Sequence, residues 1–300
     1  MKKSTIIILI FFLLISCDKN KPAESFDTQG HRGFRGKYPE NTIHGFLKAI
    51  DAGVKTLEMD VVVTKDNYLV VSHEPYISNE ICTNMGEDYI IDYSKENYNI
   101  YNMYYSQVQT FDCGSKVHAR FPEQEKVIAT KPALEEVIDA AEVYAEKNYD
   151  KQMYYNIEIK STPEGDSIFH PAPKEFADLL VKKIKELGVE ERTYIQSFDK
   201  RALQAVNQLD ENIKTVLLVE NTKGYMSNIN ELGFEPDVYS PAHKLLTRRM
   251  IEDLHEREIK VIPWTVNDSS DMKQLISMGV DGIISDYPDR LMKIVNNQKK

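Results

Sequence analysis

The feature of this chain that most restricts its fold is a repeated alternation of short runs rich in β-branched and aromatic residues with longer amphipathic segments. Eight of these runs have the composition of buried strands: residues 29–31, 56–60, 154–159, 193–196, 214–219, 237–240, 260–265 and 281–285. Alternating strands and helices form a parallel sheet, and eight units predict an α/β fold, a closed (β/α)8 TIM barrel. A doubly wound open sheet is the alternative, although no G-x-G-x-x-G motif follows the first strand.

The amphipathic segments have recognisable helix boundaries. The clearest covers residues 42–52, where apolar residues recur at the i, i+3, i+4, i+7 spacing of one helix face. Asn41 is the predicted N-cap of this helix and Gly53 its predicted end. The same reasoning predicts further helices over residues 132–147, 174–187, 247–257 and 270–278.

One region interrupts the alternation. Residues 61–73 read as a β-hairpin with its turn at 65–67, and residues 74–126 are rich in Tyr and Asn without a long amphipathic segment. We interpret residues 74–126 as an insertion after the second strand. The chain has 300 residues, which suggests about two domains, but α/β barrels commonly reach about 250 residues as one domain. The prediction is a single barrel domain over residues 29–300.

The first residues have the pattern of a targeting segment. Two lysines precede an apolar run over residues 6–15, which is too short to cross a bilayer comfortably. Leu14-Ile15-Ser16-Cys17 resembles the lipobox of bacterial lipoproteins. We therefore predict a lipoprotein signal peptide over 1–16, lipidation of Cys17 as a membrane anchor, and a tether over 17–28. A plain signal peptide or a buried strand are the alternatives.

A lipid-anchored chain would belong to the bacterial cell envelope, either periplasmic or facing the cell surface. That compartment is oxidising, so the two remaining cysteines, Cys82 and Cys113, become candidates for a disulfide. Their separation in sequence leaves both the bonded and the free form open.

The charge balance restricts the partners. The chain has 37 basic and 47 acidic residues, a formal net charge of −10, and this argues against nucleic acid, which requires a basic footprint. A small anionic substrate remains compatible, provided that a local group of cations holds it.

Charged residues at predicted strand ends carry the candidate chemistry. Side chains two residues apart in a strand share a face, so Glu58 projects with Asp60, and Glu158 with Lys160. In a barrel these residues approach the carboxyl-terminal mouth, where such folds build their active sites. Three carboxylates at one place repel one another unless a cation lies between them, and oxygen ligands favour Mg²⁺ or Ca²⁺. The alternative is that the acids form surface ion pairs.

Two histidines occupy comparable positions. His31 ends the first strand and His73 ends the hairpin, so the pair could act as general acid and general base. Arg32 and Lys160 offer positive charge for a phosphate. A lone histidine is usually structural, and that role is assigned to the others: His44, His118, His170, His243 and His255.

Taken together, these residues resemble the glycerophosphodiester phosphodiesterase family, and the resemblance covers nearly the whole chain after the tether. It rests on eight motifs in order: Gly30-His31-Arg32-Gly33, Pro39-Glu40-Asn41-Thr42, Leu57-Glu58-Met59-Asp60-Val61, Ser72-His73-Glu74, Asn156-Ile157-Glu158-Ile159-Lys160, Gln196-Ser197-Phe198, Trp264-Thr265-Val266-Asn267 and Asp281-Gly282-Ile283-Ile284-Ser285-Asp286-Tyr287-Pro288.

The resemblance implies a TIM barrel with an insertion after the second strand and a small-molecule substrate, a glycerophosphodiester, that is split into sn-glycerol 3-phosphate and an alcohol. It also implies roles: a catalytic pair (His31, His73), metal ligands (Glu58, Asp60, Glu158), phosphate-binding residues (Arg32, Lys160), an acid that orients Arg32 or a catalytic histidine (Glu40), and an alcohol pocket (Phe198, Trp264). The chain departs from the family where His73 is followed by Glu74 instead of Asp, and where residues 81–85 replace an L-x-R-T-T stretch.

Two other functions fit the same residues. One is a phosphodiesterase resembling phosphatidylinositol phospholipase C, which would act on intact lipid. The other is a lipoprotein that binds glycerophosphodiesters without cleaving them. The sequence leaves open the head group, the choice between Mg²⁺ and Ca²⁺, the order of acid and base, and the oligomeric state.

Overall fold

A computed structural model describes residues 26–87, 89–90 and 93–298. The strands are β1 (Asp27–Gly30), β2 (Thr56–Val63), β3 (Leu69–Val71), β4 (Thr83–Asn84), β5 (Phe111–Asp112), β6 (Tyr154–Ile159), β7 (Thr193–Ser197), β8 (Lys214–Val219), β9 (Val238–Pro241), β10 (Lys260–Val261) and β11 (Gly282–Ser285). The helices are α1 (Ile43–Ala52), α2 (Tyr105–Val108), α3 (Leu134–Tyr149), α4 (Pro173–Glu186), α5 (Lys200–Leu209), α6 (Tyr225–Leu232), α7 (Arg248–His255), α8 (Ser269–Met278) and α9 (Pro288–Gln298).

Eight parallel strands form the barrel, in the order β10-β9-β8-β7-β6-β2-β1-β11. The two ends of this order meet through backbone hydrogen bonds from Asp281 to Val261 (2.9 Å) and from Ile284 to Pro263 (3.0 Å). The predicted (β/α)8 TIM barrel is therefore confirmed, and the doubly wound sheet is excluded.

Apolar side chains fill the layer between the strands and the surrounding helices. Leu57, Met59 and Phe46 are fully buried there. Inside the barrel, Asn156 donates hydrogen bonds to Gln29 (2.9 Å) and Gln196 (3.0 Å), so amides from three strands connect across the interior. The interior also contains an apolar cluster contributed by β7, β8, β9 and β11.

The boundaries of two elements differ from the prediction. β1 begins at Asp27, two residues earlier than predicted, because the buried Asp27 carboxylate accepts a hydrogen bond from the Thr56 hydroxyl (2.7 Å) on the neighbouring strand. The regular part of β10 is only Lys260–Val261, since Pro263 has no N–H to continue the ladder. Residues 1–16, Cys17 and most of the predicted tether lie outside the described residues.

The predicted cap of α1 is wrong. The N-cap is Thr42, whose hydroxyl accepts a hydrogen bond from the Gly45 N–H at 3.1 Å. Asn41 has a left-handed backbone with φ of 54°, whereas an N-cap has extended dihedrals. The predicted end at Gly53 is confirmed, since its φ of 91° suits a residue without a side chain.

The hairpin is confirmed. β2 continues past the barrel wall and pairs antiparallel with β3, with Val62 opposite Val70. The turn contains Asn67 at φ of 63°, a conformation that asparagine tolerates. β3 then returns the chain to the barrel mouth directly before His73.

The segment after His73 packs around a small core of its own, which includes Ile77, Ile100 and Val108. Its described residues contain only short helices, as predicted for an insertion. Cys82 and Cys113, adjoining β4 and β5, form the hypothesised disulfide within this core. Among the described residues of the whole chain, no helix combines the length and apolar character needed to span a membrane.

Candidate active site

Three buried carboxylates meet at the carboxyl-terminal mouth of the barrel. Glu58 and Asp60 lie on β2 and Glu158 on β6, where the strand register places Asp60 beside Glu158. One oxygen from each residue lies within 4.8 Å of the other two. The convergence expected from the alternation of side chains along β2 and β6 is therefore confirmed.

Hydrogen-bond donors hold these acids in place. Gln196 donates to one Glu58 oxygen (2.6 Å) and the Arg32 backbone N–H to the other (2.8 Å). Asn41, the residue predicted as a helix cap, donates to Asp60 at 2.9 Å. These contacts leave the carboxylates oriented toward a common point.

The electrostatics of the cluster favour a cation. Burial, reinforced by the neighbouring Asp60, raises the pKa of Glu58 well above its usual range, and burial also raises the pKa of Glu158. Burial would raise the pKa of Asp60 too, but the Arg32 guanidinium holds it below its ordinary value. A divalent cation would stabilise all three in the ionised form, and the oxygen ligands match Mg²⁺ or Ca²⁺.

His31 lies directly after β1, at the same mouth. Its Nδ1 is 2.6 Å from an Asp286 oxygen, and Asn267 donates to the other Asp286 oxygen at 2.7 Å. Burial lowers the pKa of His31 despite the Asp286 charge, which favours neutral imidazole. Sequence reasoning quoted Asp286 only as part of a motif and assigned it no role. Its position in the sequence could have indicated a role, because Asp286 directly follows the last strand just as His31 directly follows the first.

His73 faces the same cavity from the hairpin side. Its Nδ1 is 2.8 Å from a Glu74 oxygen, so the glutamate that departs from the family pattern contacts the histidine itself. This hydrogen bond lowers the pKa of Glu74 to about 2. His73 is about a third exposed at its side chain, whereas His31 is about one-eighth exposed (31% and 12%). The two histidines therefore differ in both burial and partner.

The two predicted phosphate-binding residues are both held by acids. Arg32 donates to Glu40 at 2.8 Å and lies 3.3 Å from Asp60. Lys160 lies 2.7 Å from Glu158. Glu40 thus orients Arg32, one of its two predicted partners, and it contacts neither catalytic candidate. Arg35, a residue that sequence reasoning missed, also donates to Glu40, at 2.5 Å.

The predicted aromatic pair is in contact. The rings of Phe198 and Trp264 meet edge to face with centroids 5.3 Å apart, and the Trp264 indole N–H donates to the Ser240 carbonyl at 2.9 Å. A cavity of about 200 Å³ contains both rings in its wall together with His31, His73 and two of the acids. Arg120, from the insertion, is a further wall residue that the sequence did not indicate.

None of the remaining histidines borders this cavity. His118 is buried against Phe121 (5.0 Å between ring centroids) and lies 3.6 Å from Glu40, and His170 accepts the Thr162 N–H at 3.0 Å. His44, His243 and His255 form surface or partly exposed contacts with acids. Their predicted structural roles are consistent with this placement.

Comparison with known proteins identifies the family of this chain. The model of the glycerophosphoryl diester phosphodiesterase family matches residues 31–290, which include every catalytic and metal-binding candidate. The chain belongs to this family. A glycerophosphodiester phosphodiesterase from Caldanaerobacter subterraneus subsp. tengcongensis is 32% identical over 270 residues, which are 88% of this chain and 96% of the relative.

Solved structures agree with the family assignment. A Silicibacter pomeroyi crystal structure that carries the family name superposes with a TM-score of 0.80 at 26% identity, covering 92% of this chain and 94% of that one. An Oleispira antarctica phosphodiesterase, solved in complex with the product sn-glycerol-3-phosphate, has a TM-score of 0.69 at 22% identity, covering 90% and 96%. The predicted family and enzyme class are therefore confirmed, while the individual residue roles stay predictions.

Proposed function

We propose that this member of the glycerophosphoryl diester phosphodiesterase family hydrolyses glycerophosphodiesters to sn-glycerol 3-phosphate and an alcohol by metal-dependent, two-histidine catalysis. One observation carries the proposal: two histidines, each bonded through Nδ1 to a carboxylate, border one cavity with buried acids in its wall. This combination supplies an acid, a base and a metal-binding group within reach of one phosphate.

His31 is the proposed base. Asp286 accepts a hydrogen bond from the Nδ1 N–H, so Nε2 is the nitrogen left to accept a proton. Its lowered pKa keeps the imidazole neutral at physiological pH. The hydroxyl that it would deprotonate is either the 2-hydroxyl of the glycerol, which leads through a cyclic phosphate, or water.

His73 is the proposed acid. The Glu74 carboxylate lies 2.8 Å from Nδ1 and orients the ring, so Nε2 is the nitrogen that would protonate the departing alcohol. The greater exposure of His73 also gives a bulky alcohol room to leave.

Glu58, Asp60 and Glu158 would hold Mg²⁺ or Ca²⁺. The cation, when bound, supplies positive charge to a non-bridging phosphate oxygen. Lys160 and Arg32 add positive charge beside it, because both lie against the same acids. Lys160 is a point charge next to Glu158, whereas Arg32 is held in one orientation by Glu40.

Relatives support the reaction. The Caldanaerobacter protein is named for this activity, and the Oleispira structure contains the phosphate product. We further propose that the enzyme is attached to the envelope through lipid on Cys17, in an oxidising compartment where the Cys82–Cys113 disulfide is stable. Labelling with radioactive palmitate in wild type, and its loss in Cys17→Ala, tests this attachment.

The deciding experiment is release of sn-glycerol 3-phosphate from a panel of glycerophosphodiesters and from intact phospholipid. His31→Ala and His73→Ala should each lower turnover about 10²–10⁴-fold, whereas the matched control His255→Ala should not. Wild-type turnover in both variants would contradict the mechanism. Cleavage of intact lipid alone would favour the phospholipase C-like function, and binding without cleavage would favour the non-catalytic one.

A further inference from the structure

One cation in the wall of the cavity beside His31 has no acidic partner among the described residues. Arg32, Arg35 and Lys160 each form an ion pair with a buried acid. Arg120, which the insertion contributes to the same wall, forms none within the part of the chain that the structure describes. We propose that Arg120 is a substrate-binding residue that holds the phosphate of the diester and of the product; the inference rests on the proposed hydrolysis.

A tight turn of the insertion carries Arg120 to the cavity. The Phe121 N–H donates to the His118 carbonyl at 3.1 Å, and the Arg120 N–H donates to His118 Nδ1, also at 3.1 Å. Because Nδ1 accepts, the proton of the His118 ring is on Nε2. That nitrogen lies 3.6 Å from a Glu40 oxygen, and both side chains are buried. The turn is therefore anchored to the same carboxylate that orients Arg32.

The Phe121 ring fixes the other side of this turn. It is buried, the Arg35 guanidinium lies 5.0 Å from its centroid, and the Tyr287 ring lies 6.3 Å from it. A guanidinium over an aromatic face is an attractive contact. Tyr287 directly follows Asp286, the partner of His31. The turn is therefore packed against the loop that holds the proposed base.

Two guanidinium groups share the Phe121 ring. Arg35 lies 5.0 Å and Arg120 5.9 Å from its centroid, and like charges at such separations repel one another. Burial lowers the pKa of Arg35, and the charges of Arg32 and Arg120 add to this effect although Glu40 opposes it. An anion bound beside these groups would relieve the repulsion, so the arrangement favours a negatively charged ligand.

The substrate phosphate is the anion that the cavity would receive. A phosphodiester carries one negative charge, and a phosphate monoester such as the product carries about −1.5 to −2 at pH 7. A guanidinium can donate to two phosphate oxygens at once. Glu40 already accepts from the Arg32 guanidinium, whereas the Arg120 guanidinium donates to no acceptor in the described chain. Its donors are therefore available to the phosphate.

The first test is steady-state kinetics on two substrates. Arg120→Gln should raise KM about tenfold for glycerophosphocholine and for glycerophosphoglycerol alike, with little change in kcat, because both contain the same phosphate. Arg120→Lys keeps the charge but loses the planar fork, so its KM should lie between the two. The control Arg249→Gln, 89% exposed on α7, should match wild type. An unchanged KM in Arg120→Gln, or a rise confined to one substrate, would overturn the proposal.

Ionic strength separates a charge contact from a structural role. Added salt should raise KM more in wild type than in Arg120→Gln, because salt screens an exposed charge and the variant has lost it. Melting temperatures of the two proteins should be equal, since the side chain is exposed. The same salt dependence in both proteins would contradict a contact between Arg120 and the phosphate.

Binding of sn-glycerol 3-phosphate keeps the two proposals separable. Calorimetry in the presence of Mg²⁺ should show saturable binding to wild type, weakened about tenfold in Arg120→Gln and unchanged in Arg249→Gln. This measurement needs no turnover, so an inactive enzyme with that pattern would refute the hydrolysis but not the role of Arg120. Equal affinities in wild type and Arg120→Gln, in an enzyme that cleaves the diester, would refute the role of Arg120 alone.

Discussion

His31 Nδ1 and Asp286 Oδ1 lie 2.6 Å apart although 255 residues separate them in the chain. The contact arises because Gly30 of β1 pairs with Ser285 of β11, so the next residue of each strand faces the other. Asn267 holds the second Asp286 oxygen. The carboxylate therefore fixes the tautomer and position of the proposed base.

Replacing Asp286 with Asn should lower kcat about 10²–10⁴-fold with little change in KM, because the amide cannot accept from both His31 and Asn267. In one of the two contacts the amide NH2 group would then face another N–H donor. That hydrogen bond would be lost, and His31 would no longer be held in its orientation. Steady-state kinetics measure the effect. Asp289→Asn, three residues further along and paired with Lys37 at the surface, is the control. Equal turnover in both variants would remove Asp286 from the mechanism.

Chelation with EDTA should abolish activity, and addition of Mg²⁺ or Ca²⁺ should restore it, because the three clustered acids need a cation. The same cation should raise the melting temperature, since a ligand at about a hundredfold excess over Kd stabilises the folded state by about 2.7 kcal/mol. Glu158→Gln should reduce this shift, with Glu175→Gln as control. Full activity after complete metal removal would contradict the site.

Lys131→Met should stabilise the protein at pH 7 by about 3 kcal/mol. Lys131 precedes Pro132, whose carbonyl accepts from Val71, so its side chain is enclosed beside β3. Burial lowers the pKa of Lys131 from 10.5 to about 8 despite Glu40, Glu74 and Asp60. Below pH 8 the protonated Lys131 therefore destabilises the folded state relative to the unfolded chain.

The pH dependence gives a sharper test of Lys131. Between pH 8 and 10.5 the unfolded chain binds more protons at this residue than the folded chain does, so wild type recovers stability as the pH rises through this range. The difference between Lys131→Met and wild type, measured by urea unfolding, should shrink accordingly. The exposed control Lys174→Met should show no such trend, and a constant difference for Lys131→Met would be inconsistent with a lowered pKa.

Removing the Cys82–Cys113 disulfide should destabilise the insertion by about 4 kcal/mol, because the bond closes a loop with a sequence separation of 31 residues. The double variant Cys82→Ala/Cys113→Ala and the reduced wild type should melt at similar, lower temperatures. Reductant should then have no effect on the double variant. A melting temperature equal to that of oxidised wild type would show that the small core does not need the bond.

Local periodicity predicted much of the fold and the acidic cluster. Glu58 and Asp60 share a face because strands alternate, and Glu158 reaches them because its strand pairs in register with theirs. The first relation is local, whereas the second follows from the predicted barrel topology, in which these two strands are neighbours. The helices α5, α6 and α9 were not predicted individually, although α5 and α9, with 10 and 11 residues, are as long as α1.

Contacts between distant segments could not be predicted in the same way. The contact of Asp286 with His31 depends on closure of the barrel. Asn41 donates to Asp60 instead of capping a helix because its left-handed backbone turns the side chain toward the barrel. Arg120 belongs to the insertion, whose path periodicity does not describe. Each of these positions is set by tertiary packing and not by its neighbours in sequence.

Pairing of β1 with β11 also determines when activity can arise during folding. Helices such as α3 and α4 need only local contacts, whereas the bond between His31 and Asp286 requires the first and last strands to dock. In a refolding experiment, circular dichroism would follow the helices, and recovery of turnover would follow the completion of the ring. The rate at which enzymatic activity returns would therefore measure the rate of the final tertiary step, the docking of β1 with β11.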